Sequence, residues 1–237
     1  MGRFIYQAYA MAIGGPIRSP IDQQVQTPAV CVLPSTGGRV VSTSGPYRLT
    51  DPVSGEFLLC FDSAEVSAEG KQSATPGVYT TLMSSIVRNL NVGNVLRADE
   101  VTLQLSLAYD TSNDQVTIDT NGSRFVNLTV AGQGFDVSLD HALGREAADY
   151  RTFRQNHPEY PEIRGAIHYS LGRHPSLHFD PYEYGYYDQQ NFGRIYFAEW
   201  TAAPSLQKLT MLRLRLGSPQ EGEPEIGGGQ SNGQPFP

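Results

Sequence analysis

Residues 99 to 109 carry their large apolar side chains at odd positions, and 101 to 107 alternate apolar and polar without a break. Val101, Leu103, Leu105, Leu107 and Tyr109 fall on one side of an extended chain, and Thr102, Gln104 and Ser106 on the other. A helix would scatter the same leucines around its circumference, so this run can bury its apolar side only as a strand. Residues 78 to 92 form a second long run. Its apolar positions Val78, Leu82, Ile86, Leu90 and Val92 are all even-numbered, which predicts that the even side faces the core. Their spacing of four also suits a helix, but Thr80, Thr81, Ser84, Ser85, Ile86 and Val87 favour the strand.

Shorter strands are expected at 3–13, 29–33, 38–43, 56–69, 115–119, 124–130, 134–139, 163–170, 193–200 and 207–216. Asn121-Gly122 and Ala131-Gly132-Gln133 separate neighbours as hairpin turns, and Gly14 to Pro28 reads as irregular. One short helix is expected over about 141–156, after Asp140 as N-cap. Leu143, Ala147, Tyr150 and Phe153 share a stripe there, and Pro158 ends it. The expected fold is therefore all-β, an antiparallel sandwich or flattened barrel with that one helix. Residues 1–216 form a single domain, and 217–237, rich in Gly, Pro, Glu, Asn and Gln, a flexible C-terminal tail.

Charge narrows the function. The net charge is -7, and only Lys71 and Lys208 of the 17 basic residues are lysines, the arginines being scattered; a phosphate-tracking face needs a dense basic patch, so nucleic acid is an unsuitable partner. No apolar run is long enough for a membrane helix. The opening Phe4 to Ile13 is too polar and aromatic for an export signal, which leaves a cytoplasmic location for the chain as written. Cys31 and Cys60 sit in apolar strand-like runs and suit either buried thiols or a bond between neighbouring strands.

Two segments resemble a known family. Tyr79-Thr80-Thr81-Leu82-Met83-Ser84-Ser85-Ile86-Val87-Arg88-Asn89-Leu90-Asn91-Val92, with Val95 to Val101, is one, and Asn121-Gly122-Ser123-Arg124-Phe125-Val126-Asn127-Leu128-Thr129-Val130-Ala131-Gly132 is the other. With the Ala/Tyr/Gly alternation of residues 8 to 15, they resemble the core of bacterial surface proteins grouped as choice-of-anchor P proteins, over residues 8–140. The resemblance implies a β-rich extracellular domain with no established activity. It carries over no catalytic residue, and it gives a secreted or cell-surface location as the alternative.

The residues that could carry chemistry cluster late. His168, His174, His178 and Asp180 share even parity, and His174, His178 and Asp180 are the candidate metal ligands if the segment is extended. Gly172 and Pro175 interrupt it. His178-Phe179-Asp180 also has the His-x-Asp form of iron oxygenases, but no later histidine supplies a third ligand. There is no Gly-x-Ser-x-Gly elbow, and Gly227-Gly228-Gly229 lacks the Lys-Ser/Thr of a phosphate loop. A glycosidase would need two of Asp180, Glu183, Asp188 and Glu199 facing across a cleft.

The densest aromatic stretch runs from Phe179 to Trp200. Tyr182, Tyr184, Tyr186, Tyr187, Phe192 and Trp200 are the candidate binding residues, because rigid amphipathic rings suit a protein contact patch or a sugar platform. The alternative is that the rings close one end of the fold. With no catalytic constellation assembled and no cofactor implied, the sequence favours a non-enzymatic structural or protein-interaction module, self-assembling or surface-associated. A protein partner or second copy is favoured over a small molecule. The competing reading is a carbohydrate- or metal-binding sandwich, a hydrolase or oxygenase, using residues 168–200.

Overall fold

Alternation over so much of the chain leaves strands as the only way to separate apolar from polar side chains, and every regular element among the described residues is a β-strand. The computed structural model describes residues 3–19, 23–25, 27–50, 55, 57–139, 163–166, 168–170, 177–178, 186–190, 192–203, 206–217 and 221–236. The expected helix over 141–156 lies outside them.

The first strands are β1 (Arg3–Ile5), β2 (Ala8–Gly14), β3 (Pro16–Ser19), β4 (Gln23–Gln24), β5 (Val30–Val32), β6 (Gly38–Ser44), β7 (Tyr47–Thr50) and β8 (Phe57–Phe61). Next come β9 (Ser63–Gln72), β10 (Val78–Val92), β11 (Leu96–Asp110), β12 (Gln115–Asp119), β13 (Arg124–Val126), β14 (Thr129–Val130), β15 (Gln133–Gly134) and β16 (Ser138–Leu139). The rest are β17 (Ile163–Ala166), β18 (His168–Ser170), β19 (Leu177–His178), β20 (Tyr186–Gln189), β21 (Gly193–Ala203), β22 (Leu206–Leu216), β23 (Glu221–Gly222), β24 (Glu225–Ser231) and β25 (Gln234–Phe236). The stretch from Gly14 to Pro28, read as irregular, contains β3 and β4.

Two antiparallel sheets make a sandwich-like fold. The first is built on the β10–β11 hairpin, with β9 and then β6 beside one half of β10, and β8 and β7 beside the other. In the second, β24 runs between β2 and β22, β5 flanks β2, and β21 flanks β22. Strands β2 and β24 lie across β9, β10 and β11. Met83, Val87, Val101, Leu103 and Leu105 from one sheet and Ile13, Leu209, Leu212 and Ile226 from the other are fully buried in the shared core.

The tail is not flexible where it is described. Residues 225–231 form the strand between β2 and β22, and Gly227, Gly228 and Gly229 are buried. Glycine is required by packing here. A Cβ on Gly229 would stand 2.9 Å from Leu103 Cδ2, and Gly227 adopts φ 64° with Met211 Cβ 3.2 Å from where its own Cβ would be. Beyond β24, β25 pairs with β1 and so joins the two ends of the chain. Phe4 then stacks on Tyr79 at 4.6 Å, closing one end of the core.

The parity expected for residues 78–92 is also corrected. Thr81, Met83, Ser85 and Val87 face the core, and Leu82 is 42% exposed. Only from Leu90 onward does the even side turn inward, because Asn89 takes φ 55° and adds a residue to the outer side. Strand β11 changes parity at the same rung: Val101 and Ala98, three residues apart, are both buried. The two irregularities cancel, so the register of the hairpin is unchanged across them.

Candidate interaction surface

The sequence-predicted aromatics divide three ways. Tyr187, Phe192 and Trp200 are buried. The Tyr187 ring meets Phe135 edge-on at 5.0 Å, and Phe135 stacks on Phe197 at 5.3 Å. Trp200 Nε1 is buried without a hydrogen-bond partner. These three rings therefore fill the core and present no platform. Tyr186 is described by its backbone, in register with His178 on one side and Tyr196 on the other. Tyr182, Tyr184, His174 and Asp180 lie outside the described residues, as does Glu183. Among the described residues no three His, Cys, Asp or Glu side chains are grouped to hold a metal.

The described polar groups on the second sheet are tied to one another. Glu199 accepts two bonds from Arg213, at 2.6 and 2.8 Å, and the Arg213 guanidinium lies 3.7 Å over the Tyr196 ring. Lys208 Nζ bonds both oxygens of Glu225. Asp188 is exposed and stands opposite Arg194. On the first sheet, Arg124 and Arg88 hold Glu100 at 2.6 and 3.5 Å. Both cysteines are free thiols, and burial is the main influence pushing each thiol pKa up. That keeps them protonated and poor nucleophiles at neutral pH.

What stands out is apolar surface left uncovered. Among the described residues the large exposed hydrophobics are Val30 at 42%, Val32 at 67%, Val41 at 47% and Leu82. Val30 and Val32 lie on β5, the outermost described strand beside β2, and Val41 on β6, outermost beside β9. Strands β5 and β6 adjoin each other, so these two edges border the same flank of the sandwich.

The local sequence explains how β5 sits. Pairing with β2 sets Tyr9 opposite Val32, Ala10 opposite Cys31 and Met11 opposite Val30. The thiol of Cys31 faces the core, only 3% exposed, and both neighbouring valines face out. Ala12 N–H donates to Ala29 O at 2.9 Å and Leu33 N–H to Ala8 O at 2.8 Å, which makes 29, 31 and 33 the residues whose backbone groups point at β2. The N–H and C=O of Val30 and Val32 consequently point away from the sheet. No described strand pairs with that side.

Sequence reasoning missed this edge because all of Val30-Cys31-Val32-Leu33 is apolar, so hydropathy alone does not say which face is buried. The available signal was the bracketing by Pro28 and Pro34, residues that close an edge strand.

Residues 4–173 match a domain family of unknown function, DUF8256. The chain belongs to that family. No curated protein and no solved structure matches it. The DUF8256 region contains β5, β6 and the whole first sheet, but β2, inside it, pairs with β24, outside it. The second sheet of this chain is thus completed by residues beyond the family match.

Proposed function

We propose that this chain is a non-enzymatic structural or protein-interaction module that associates with copies of itself. The observation that carries the reading is the placement of the large exposed hydrophobics among the described residues: all four lie on strands, and Val30, Val32 and Val41 lie on β5 and β6, edge strands that adjoin each other. Edge strands with uncovered backbone groups and apolar side chains are templates for pairing with another chain. In support, the candidate carboxylate Glu199 is held by Arg213. The likeness of residues 8–140 to choice-of-anchor P surface proteins points the same way.

The test is the mass of the full chain by light scattering over a concentration series. Mass that rises with concentration supports the module. A monomer at every concentration overturns it.

A further inference from the structure

The residues around β5 read nearly the same in both directions. Pro28-Ala29-Val30-Cys31-Val32-Leu33-Pro34 is symmetric about Cys31: valine flanks it on each side, then a small or large aliphatic residue, then proline. Through this stretch, side chains 29, 31 and 33 are buried while 30, 32 and 34 are exposed. The chain therefore presents an outward edge whose two ends are equivalent. Such an edge is complementary to its own copy turned by a two-fold axis.

We infer that two copies of this chain join through β5, antiparallel and centred on Cys31, so that their second sheets become one continuous sheet. This rests on the self-association proposed above and names its contact. In that arrangement each Val30 N–H donates to the Val32 carbonyl of the partner subunit, and each Val32 N–H to the partner's Val30 carbonyl. Val30 and Val32 side chains then lie beside the partner's Val32 and Val30, extending the row in which they stand beside the half-buried Tyr9 and the buried Met11 of β2.

Three features favour a second copy over an arbitrary strand. Side-chain matching is best in the self-paired register, because it sets every exposed valine against a valine and Ala29 against the larger Leu33. A ladder displaced by two residues puts Pro28 or Pro34 opposite a valine, where the ring occupies the space of the missing N–H. Finally, residues 23 to 38 carry no charged side chain, so two copies of a chain with net charge -7 meet there without opposing charges. Lysine and inward charge, the common means of blunting an edge, are both missing from β5.

The decisive experiment is sedimentation velocity of the full chain across a concentration series, for wild type, Val32→Pro, Val32→Lys and Leu82→Lys. Proline at 32 removes only an N–H that points away from β2. Lysine places a charge beside its copy and keeps the fold testable if the proline variant does not fold. The inference predicts a wild-type dimer whose dissociation constant rises at least about ten-fold in each folded Val32 variant and stays within about two-fold in Leu82→Lys, the loss of one well-placed contact being worth about that much. The Val30 and Val32 amides should exchange slowly only at dimer concentrations. An assembling wild type that Val32→Pro and Val32→Lys leave intact overturns the β5 contact while the module reading stands. A wild type that is monomeric throughout overturns both.

Discussion

Gly229 of β24 lies directly beneath Leu103 of β11, so close that a Cβ there would stand 2.9 Å from Leu103 Cδ2. The contact makes the last long strand a load shared by both sheets, since the same strand is hydrogen-bonded to β2 on one side and β22 on the other. Ending the chain after Leu216 would strip both neighbours of their partner and uncover the side of Leu103, Met83 and Val101. The truncated protein is expected to lack a cooperative thermal transition by circular dichroism. A cooperative transition within a few degrees of the full chain would show that the tail is dispensable.

Leu82 and Met83 are adjacent and similar in volume, yet Leu82 is exposed and Met83 fully buried. Met83→Ala should cost about 2–5 kcal/mol in denaturant unfolding, from lost transfer energy plus the cavity left behind. Leu82→Ala should stay within about 0.5 kcal/mol. Reversed magnitudes would restore the even-side orientation that hydropathy suggests.

That orientation shows where the sequence is informative and where it is not. Period two identifies β10 as a strand, and Val101, Leu103, Leu105 and Leu107 do face the core as their parity predicts. Both sides of β10 carry apolar residues, so orientation depends on Asn89, whose left-handed backbone is a local event that no periodicity reports. The tail fails for a different reason. Glycine-rich sequence is locally floppy, and only the approach of Leu103 from the other sheet, with Met11 and Met211 on neighbouring strands, explains why small residues are needed there. The aromatic segment shows the same dependence on distant partners: Tyr187 is buried by Phe135, far away in sequence. The edge at β5 was marked by prolines but not by hydropathy.

Asn89 holds the parity change at φ 55°, and its Nδ2 donates to Asp62 Oδ2 at 2.7 Å. Asparagine tolerates this backbone region and glycine does so freely, whereas a β-branched residue is strained in it. Asn89→Gly is expected to lie within about 0.5 kcal/mol of wild type, and Asn89→Val to lose about 1–2 kcal/mol or more. Equal stability of the two variants in urea would mean that the backbone at this rung relaxes to an ordinary strand.

Glu100 is a carboxylate tuned by its neighbours. The Thr102 hydroxyl, at 2.8 Å, is the largest influence holding its pKa below the usual glutamate range, followed by the hydrogen bond and charge of Arg124 and the charge of Arg88, against the opposing effect of burial. A carboxylate with a lowered folded-state pKa contributes stability that is fully present above its unfolded value, about 4.3, and is lost as pH falls through the folded value. Glu100→Gln should therefore lower the thermal midpoint near neutral pH, and the gap from wild type should close as pH drops below about 4. A gap that stays constant from neutral pH into acid would assign the loss to packing of the amide instead of to the contacts of the charged carboxylate with Thr102, Arg124 and Arg88.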